Sequence, residues 1–593
     1  MADNLHFQVD LKGLISLLSD NLYTSDDVFL RELLQNAVDA IEARKLYEPG
    51  FLSRKIEVTL LQKREGTILE FYDNGIGLTS EELHKFLSVI GKSSKRGVEV
   101  RGSYIGQFGI GLLSCFLVTS EIEVISKSIK EDGTYCWCGK NNGVYEVRPA
   151  KEMDSPGTMV RLKLSSSAAA DFGSGDIIKY LRQYGYLIDT PIFFHDKNGV
   201  IKINDNYIPW LQKEDASKEQ MRQFGEQVFQ EDFFDAIPIF GDGLSGYAFV
   251  SMLQSSSNAS QRHQIFLKNM FITNDGKDIL PKWAFFIKFF INSENLTPTA
   301  AREGFQKDSN LRKAYARIET CLINYFKELS RYDVPKLKKL IGRHNLAIKA
   351  LTQEDERVYE IFFPYLVFPT TKGSLTGMQI VNASQKYSVY YCVDVDTYRR
   401  ISPFMEYSNN ILINAGYVYD ASILSHHYKY YKTSKIKVFE DSALEHLLGT
   451  PKASAEKALS LFLGVAREAL KEFSCRPMLR CFTPHELPVL YLPGDQFMLN
   501  GSFEEEFDPD ESIPSFLDEF SDIMTDQEEQ ATLYFNCDNE MILNLGKMKN
   551  LAKLRAIVQI LYVQALLAGR YAVGSRELGL FNESLAKILN DQA

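Results

Sequence analysis

Val28-Phe29-Leu30-Arg31-Glu32-Leu33-Leu34-Gln35-Asn36-Ala37-Val38-Asp39-Ala40-Ile41 is the stretch on which the fold turns. Ser25 or Asp26 offers an N-cap, and Val28, Leu30, Leu33, Leu34, Ala37 and Ile41 recur at helical spacing. At about 100° per residue, Glu32, Asn36 and Asp39 fall within roughly 60° of one another on the polar face. Taken alone, that describes an amphipathic surface helix with one wet side. Two later segments change the reading. The apolar run 68–72 leads into Asp73-Asn74-Gly75-Ile76-Gly77, where glycines permit a turn close against a flat ligand and a carboxylate accepts from an exocyclic amine. Gly106-Gln107-Phe108-Gly109-Ile110-Gly111 then precedes the apolar stretch 112–118, read as a helix whose glycine-rich start suits an anion.

A chain of 593 residues predicts about three to five domains. Two helices span 11–41, and β-rich runs at 55–61, 67–72, 121–127 and 158–164 follow, which makes the first domain a two-layer α+β sandwich. A helix at 177–186 and an extended piece at 191–194 close that domain near 195, and 196–206 reads as a short polar connection. The second region, 200–450, is α/β, with strands expected at 265–272 and 283–291 and a helix at 310–329. The third, 452–593, is a mixed region that starts and ends helical, with an acidic, solvated stretch at 504–522.

Composition excludes several classes. With 45% hydrophobic and 24% charged residues the chain is neither disordered nor collagen-like, and its net charge of −11 runs against phosphate gripping, so no nucleic-acid partner is expected. Eight scattered cysteines read as free thiols of a reducing compartment, and Cys136 and Cys138 as two residues of one strand rather than metal ligands. No signal sequence or run of about 18 apolar residues is evident, so no membrane contact and a cytoplasmic location are expected. The 91–93 Gly-Lys-Ser lacks the earlier glycine of a P-loop, and the motifs of α/β hydrolases and zinc proteases are absent.

Helix face, Asp-x-Gly-x-Gly and glycine loop, in that order, resemble the ATP site shared by gyrase, MutL mismatch-repair proteins, histidine kinases and heat shock protein 90 chaperones. The heat shock protein 90 branch, and within it the bacterial high-temperature protein G type, fits best. Phe29 to Leu33, Asn36 to Ala40, Asp73 to Gly77, Ile105 to Gly111, Gly157-Thr158, Ala301-Arg302-Glu303-Gly304-Phe305-Gln306 and the apolar segment 558–568 all look like its signatures. The chain departs from the pattern at Ser88-Val89, where an Asn pair is usual, and its 95–104 segment is shorter than a typical lid.

The resemblance implies an ATPase working with Mg²⁺ as a homodimeric clamp on client proteins, joined through a C-terminal dimerisation domain and without the acidic tail that recruits tetratricopeptide co-chaperones. Glu32 would deprotonate the attacking water, Asn36 would ligate Mg²⁺, and Asp73, with Asp39, Gly77 and Thr158, would hold the base. Lys95 and the loop Gly106, Gln107, Phe108, Gly109, Ile110 and Gly111 would wrap the phosphates. Arg302, with Gln306 beside it, would stabilise charge on the γ-phosphate. Without the family likeness, Arg302 reads as a surface ion pair to Glu303 or Asp308. A MutL- or gyrase-type DNA machine, a histidine kinase and an ATP-binding scaffold with little turnover are the competing readings.

Overall fold

The structure, a computed structural model, describes residues 27–64, 66–87, 111–212, 216–253, 262–299, 301–407, 410–440, 447–492, 531–569 and 571–590. The first of the two expected opening helices, the lid segment and the acidic stretch 504–522 therefore lie outside the described residues. The chain divides into two compact units, residues 1–328 and 329–593.

In the first unit, helix α1 (Val28–Tyr47) runs 20 residues without glycine or proline and ends on an Arg44 carbonyl that accepts from the Glu48 N–H. Its apolar side, with Phe29, Leu30, Leu34 and Ile41 fully buried, lies against an eight-stranded mixed sheet ordered β5-β4-β3-β6-β2-β1-β7-β8. The strands are β1 (Ile56–Lys63), β2 (Gly66–Asp73), β3 (Glu121–Lys127), β4 (Thr134–Lys140), β5 (Tyr145–Pro149), β6 (Gly157–Lys163), β7 (Ile192–Asp196) and β8 (Gly199–Lys202). Cys136 and Cys138 both lie on β4, as the sequence implies. The stretch 196–206 is not a plain connection, because Gly199 takes φ 128° and lets β8 fold back antiparallel on β7 at the sheet edge. Residues 112–118, expected as an α-helix, form a 3₁₀ helix at Gly111–Leu117.

A second sheet of this unit has the order β12-β11-β13-β10-β9, made of β9 (Phe233–Gly241), β10 (Leu244–Ser251), β11 (Gln264–Leu267), β12 (Met270–Thr273) and β13 (Ile287–Ser293). The single strand expected over 265–272 is a hairpin: Lys268 and Asn269 take φ 49° and 66°, the left-handed pair of a two-residue turn. The 283–291 run begins with a 3₁₀ turn, Lys282–Ala284, before β13. Helix α2 (Ser309–Tyr332) follows where a helix is expected.

The second unit has β14 (Val367–Thr370), β15 (Gly373–Thr376), β16 (Val389–Cys392), β17 (Ile411–Asn414) and β18 (Ile436–Val438) in a sheet ordered β15-β14-β17-β16-β18, and β19 (Cys475–Arg480), β20 (Val489–Leu492) and β21 (Ala531–Asn536) in a sheet ordered β19-β21-β20. In the latter, β19 and β21 are parallel, with Arg480 opposite Asn536. The next residues, Cys481 and Cys537, are thereby set side by side at a Cα separation of 5.1 Å and joined as a disulfide. The expectation that all eight cysteines are free is corrected by this register, which sequence spacing does not reveal. The six free ones are Cys115, Cys136, Cys138, Cys321, Cys392 and Cys475, and all but Cys321 are buried.

Helix α3 (Leu551–Ala568) has 18 residues and a mean hydropathy of 1.5, so by length and composition it is apolar enough to cross a membrane. Half of it is buried within its own unit, where Leu554, Val558, Leu561 and Val563 join the core. The Ser584 hydroxyl of helix α4 (Ser575–Asn590) donates to Gln559 Oε1 at 2.9 Å inside this packing.

Candidate active site

The polar residues of α1 are not wet. Arg31 is 3% exposed, Glu32 3%, Gln35 1% and Asp39 2%. Asn36 alone among the polar residues 31–39 is exposed. A surface helix would leave these residues in water, so their burial removes the bland reading and calls for partners.

Beside α1, the end of β2 supplies the second wall. Asp73, 7% exposed, stands opposite Thr158 in the β2–β6 register, and one of its oxygens accepts the Gly75 N–H at 2.8 Å. The Ile76 N–H donates to the Ala40 carbonyl at 3.0 Å, tying the Asp-x-Gly-x-Gly turn to the helix. Gly77 takes φ 67°, and a Cβ there would lie 2.0 Å from the Lys127 carbonyl oxygen, so the turn requires glycine. Ser126, which sequence reasoning missed, joins the corner: its hydroxyl pairs with Thr158 Oγ1 at 2.9 Å, donates to the Gly157 carbonyl and accepts from the Leu78 N–H. The β3–β6 register sets Ser126 opposite Thr158, a pairing no local motif announces.

Gly111, the last glycine of the expected phosphate loop, lies against Glu32, with a Cβ built on it 2.4 Å from Glu32 Oε2. Lys95, Gly106, Gln107, Phe108, Gly109 and Ile110 lie outside the described residues. Beneath this contact Cys115 is fully buried, and burial first, then the Glu32 charge, pushes its thiol well above the ordinary range. The Lys268 ammonium, in the β11–β12 turn, is held below its usual value by burial, while Asp39 and Glu294 oppose that shift.

Arg302 completes the cluster from 270 residues away in the chain. Its Nη1 donates to Glu32 Oε2 at 2.6 Å and also to Gln35 Oε1. In return the Arg31 guanidinium donates to the Arg302 carbonyl at 3.2 Å and the Ala301 carbonyl at 2.8 Å, while approaching Glu32 Oε1 at 3.6 Å. Arg302 is 4% exposed and takes φ 55°, a conformation that costs a non-glycine residue about 1–3 kcal/mol and persists only where contacts hold it. The alternative of a surface ion pair is overturned. Asp308 is spent elsewhere, accepting from the N–H groups of Asn310 and Leu311 at the start of α2 and from Thr297 Oγ1, and the first of these causes, the Leu311 N–H, draws its carboxyl below the usual range. Gln306 is exposed, its amide donating to the Pro298 carbonyl at 3.1 Å, and it is not a partner of Arg302 among the described residues.

The residues present fit a nucleotide. Buried acid, buried guanidinium and a glycine pressed on the acid form one end, while Asp73, Thr158 and Ser126 form a hydrogen-bonding end. Arg31 Nε and Gln35 Nε2 are buried donors with no acceptor among the described residues, as expected where an anionic group belongs.

Comparison with known proteins gives the same assignment. Residues 23–152 match a family described as histidine kinase-, DNA gyrase B-, and HSP90-like ATPase, and residues 247–446 match the Hsp90 protein family. The mitochondrial heat shock protein 75 kDa of Rattus norvegicus is 24% identical over 477 residues, 74% of this chain and 66% of that protein. Chaperone protein HtpG of Aliarcobacter butzleri is 25% identical over 457 residues, 68% of this chain and 71% of the relative. The same-named protein of Borreliella afzelii is 26% identical over 430 residues, 65% and 68% of the two chains. Glu32, Asp73 and Gly111 fall in the first matched segment and Arg302 in the second, so the site is assembled from both. The chain therefore carries an HSP90-like ATPase segment and a segment of the Hsp90 protein family.

Proposed function

We propose that this protein hydrolyses Mg²⁺-bound ATP to open and close a homodimeric clamp around non-native client proteins in the cytoplasm. The observation that carries the reading is the buried Glu32–Arg302 contact, which joins a residue of the ATPase segment to one of the Hsp90 segment. Hydrolysis that depends on both is coupled to how those segments are held together.

Within the site, Mg²⁺ supplies charge neutralisation of the phosphates, and the exposed Asn36 amide oxygen is its ligand. Asp73 accepts the base amine, with Asp39, Gly77 and Thr158 around it. Lys95 and the loop from Gly106 to Gly111 take the phosphates. Glu32 removes the proton of the attacking water at a carboxylate oxygen, and Arg302 presents its guanidinium to the charge that develops, Gln306 remaining an outer contact of the same loop. We assign 1–195 to nucleotide binding, 200–450 to the arginine loop and 452–593 to dimerisation. Leu578, Leu585 and Leu589 of α4, 47%, 40% and 63% exposed, recur at spacings of one helix face and support a partner there. A net charge of −11 weighs against the DNA-machine alternative.

Calorimetry with ATP tests the reading. The parent is expected to bind, and Asp73→Asn to bind at least about ten- to hundred-fold more weakly, since an amide replaces a charged acceptor of the base amine. Unchanged affinity in Asp73→Asn would place the base elsewhere.

A further inference from the structure

Gln35 has no role in the reaction as described so far, yet it is the most deeply buried polar residue of the cluster, 1% exposed. Arginine carries five donors and no acceptor, so the Gln35 amide can face Arg302 Nη1 only with its oxygen. That fixes the orientation of the amide. Its nitrogen, Nε2, is left as a buried donor with no acceptor among the described residues, and Arg31 Nε, on the same helix, is in the same condition. A buried, unsatisfied donor of this kind is costly unless a ligand or water answers it. Glu32 and Gln35 are three residues apart on α1, so they flank one face of the helix and share a single nitrogen of Arg302.

The two contacts do different work. Glu32 must be available to take a proton, and an ion pair to Arg302 competes with that task. A neutral amide acceptor at the same nitrogen holds the guanidinium in place without adding charge to the site, so Arg302 keeps its location when Glu32 turns to water. This matters because the Arg302 backbone is left-handed and is held by its N–H to the Thr299 carbonyl, by Arg31 on its own carbonyl and by its side-chain contacts. We propose that Gln35 is a positioning residue for ATP hydrolysis: its Oε1 holds the Arg302 guanidinium beside Glu32. The inference rests on the ATPase reading above.

A double-mutant cycle tests it, with ATP turnover and calorimetric ATP affinity measured on the full chain. Gln35→Leu, close in size but without either polar atom, is expected to lower kcat about ten-fold or more, as loss of a hydrogen bond to a charged group would, while Kd for ATP stays within about two-fold. In an Arg302→Ala background the same change is expected to add less than about two-fold, because the group it positions is gone. Should Gln35→Leu fail to fold, Gln35→Ala completes the same cycle. Equal losses of kcat in both backgrounds, or a loss of affinity with kcat intact, would overturn the assignment of Gln35 while leaving the ATPase reading standing. A parent that neither binds nor cleaves ATP would overturn both.

Discussion

Two deeply buried ion pairs, one from each unit, are built alike in distance and unlike in surroundings. Glu32–Arg302 and Lys349–Asp420 both close to 2.6 Å, with side chains no more than 9% exposed. Around Arg302 the donors outnumber the acceptors, a backbone carbonyl is gripped by Arg31, and two nitrogens are left over. Around Asp420 the surplus is of acceptors instead: Lys349 Nζ lies 2.6 Å from Oδ1, and neither buried carboxylate oxygen has a hydrogen-bond partner among the described residues. Lys349 stands on the helix Asn345–Glu354 and Asp420 at the start of the helix Asp420–Ser425, with the ammonium 5.7 Å from the Phe368 ring centroid. Burial raises the Asp420 carboxyl above its usual range, and Lys349 opposes that shift. Burial of a charge pair therefore does not by itself mark a functional site. The first cluster has donors to spare and suits an anion, whereas the second has only acceptors to spare, which an anion cannot answer, and it links two helices.

The largest effect that separates the two is expected at Glu32. Glu32→Gln keeps the shape and an oxygen for Arg302 but cannot accept a proton, so turnover should fall by about 10²–10⁴-fold with ATP affinity and melting temperature nearly unchanged. Comparable turnover in the variant would mean that the base is another residue and that the two pairs do not differ in kind.

Lys349→Met should do the reverse. An unpaired carboxylate remains in the interior, a loss of about 3–5 kcal/mol, while turnover per folded molecule stays at the parent level. The pH dependence has a definite sign. Asp420 binds its proton more tightly folded than unfolded, so the folded state is favoured below the ordinary carboxylate value of about 3.9 and loses that advantage as pH rises through the raised value. Without Lys349 to oppose the shift, the gap in melting temperature between variant and parent should narrow as pH is lowered toward 4. A gap independent of pH would show that Asp420 is not the source.

How much of this was legible beforehand follows the range of the interaction. The α1 spacing and the Asp73 turn are local motifs, and the structure ties that turn to α1 through the Ile76 N–H and sets Gly111 against Glu32. The Arg302 loop was legible only as a family signature, since nothing in Ala301 to Gln306 indicates a partner 270 residues earlier. Gln35 and Ser126 were missed for different reasons. Gln35 sits three residues after Glu32, so the helical arithmetic that grouped Asn36 and Asp39 could have found it, whereas Ser126 depends on a β3–β6 register that no sequence period encodes. The β11–β12 turn was hidden because Lys268-Asn269 lacks the glycine that usually announces a left-handed pair.

The smallest expected effect concerns a third kind of link, one without charge. Cys481 and Cys537 are 56 residues apart in sequence, and their bond closes a loop across β19 and β21, whose ladder from Cys475–Ala531 to Arg480–Asn536 positions them. Those backbone bonds do not need the sulfur bridge, so Cys481→Ser should leave the fold intact and act mainly by freeing the unfolded chain. The expected loss is about 2–4 kcal/mol in a denaturant titration, with no change in ATP turnover, and dithiothreitol should lower the parent to the same level and leave the variant where it is. Thiol titration of the denatured parent before reduction should count six reactive groups out of the eight cysteines. Eight groups before reduction would show the two sulfurs adjacent but unbonded, and the stability of that sheet would then rest on its ladder and core alone.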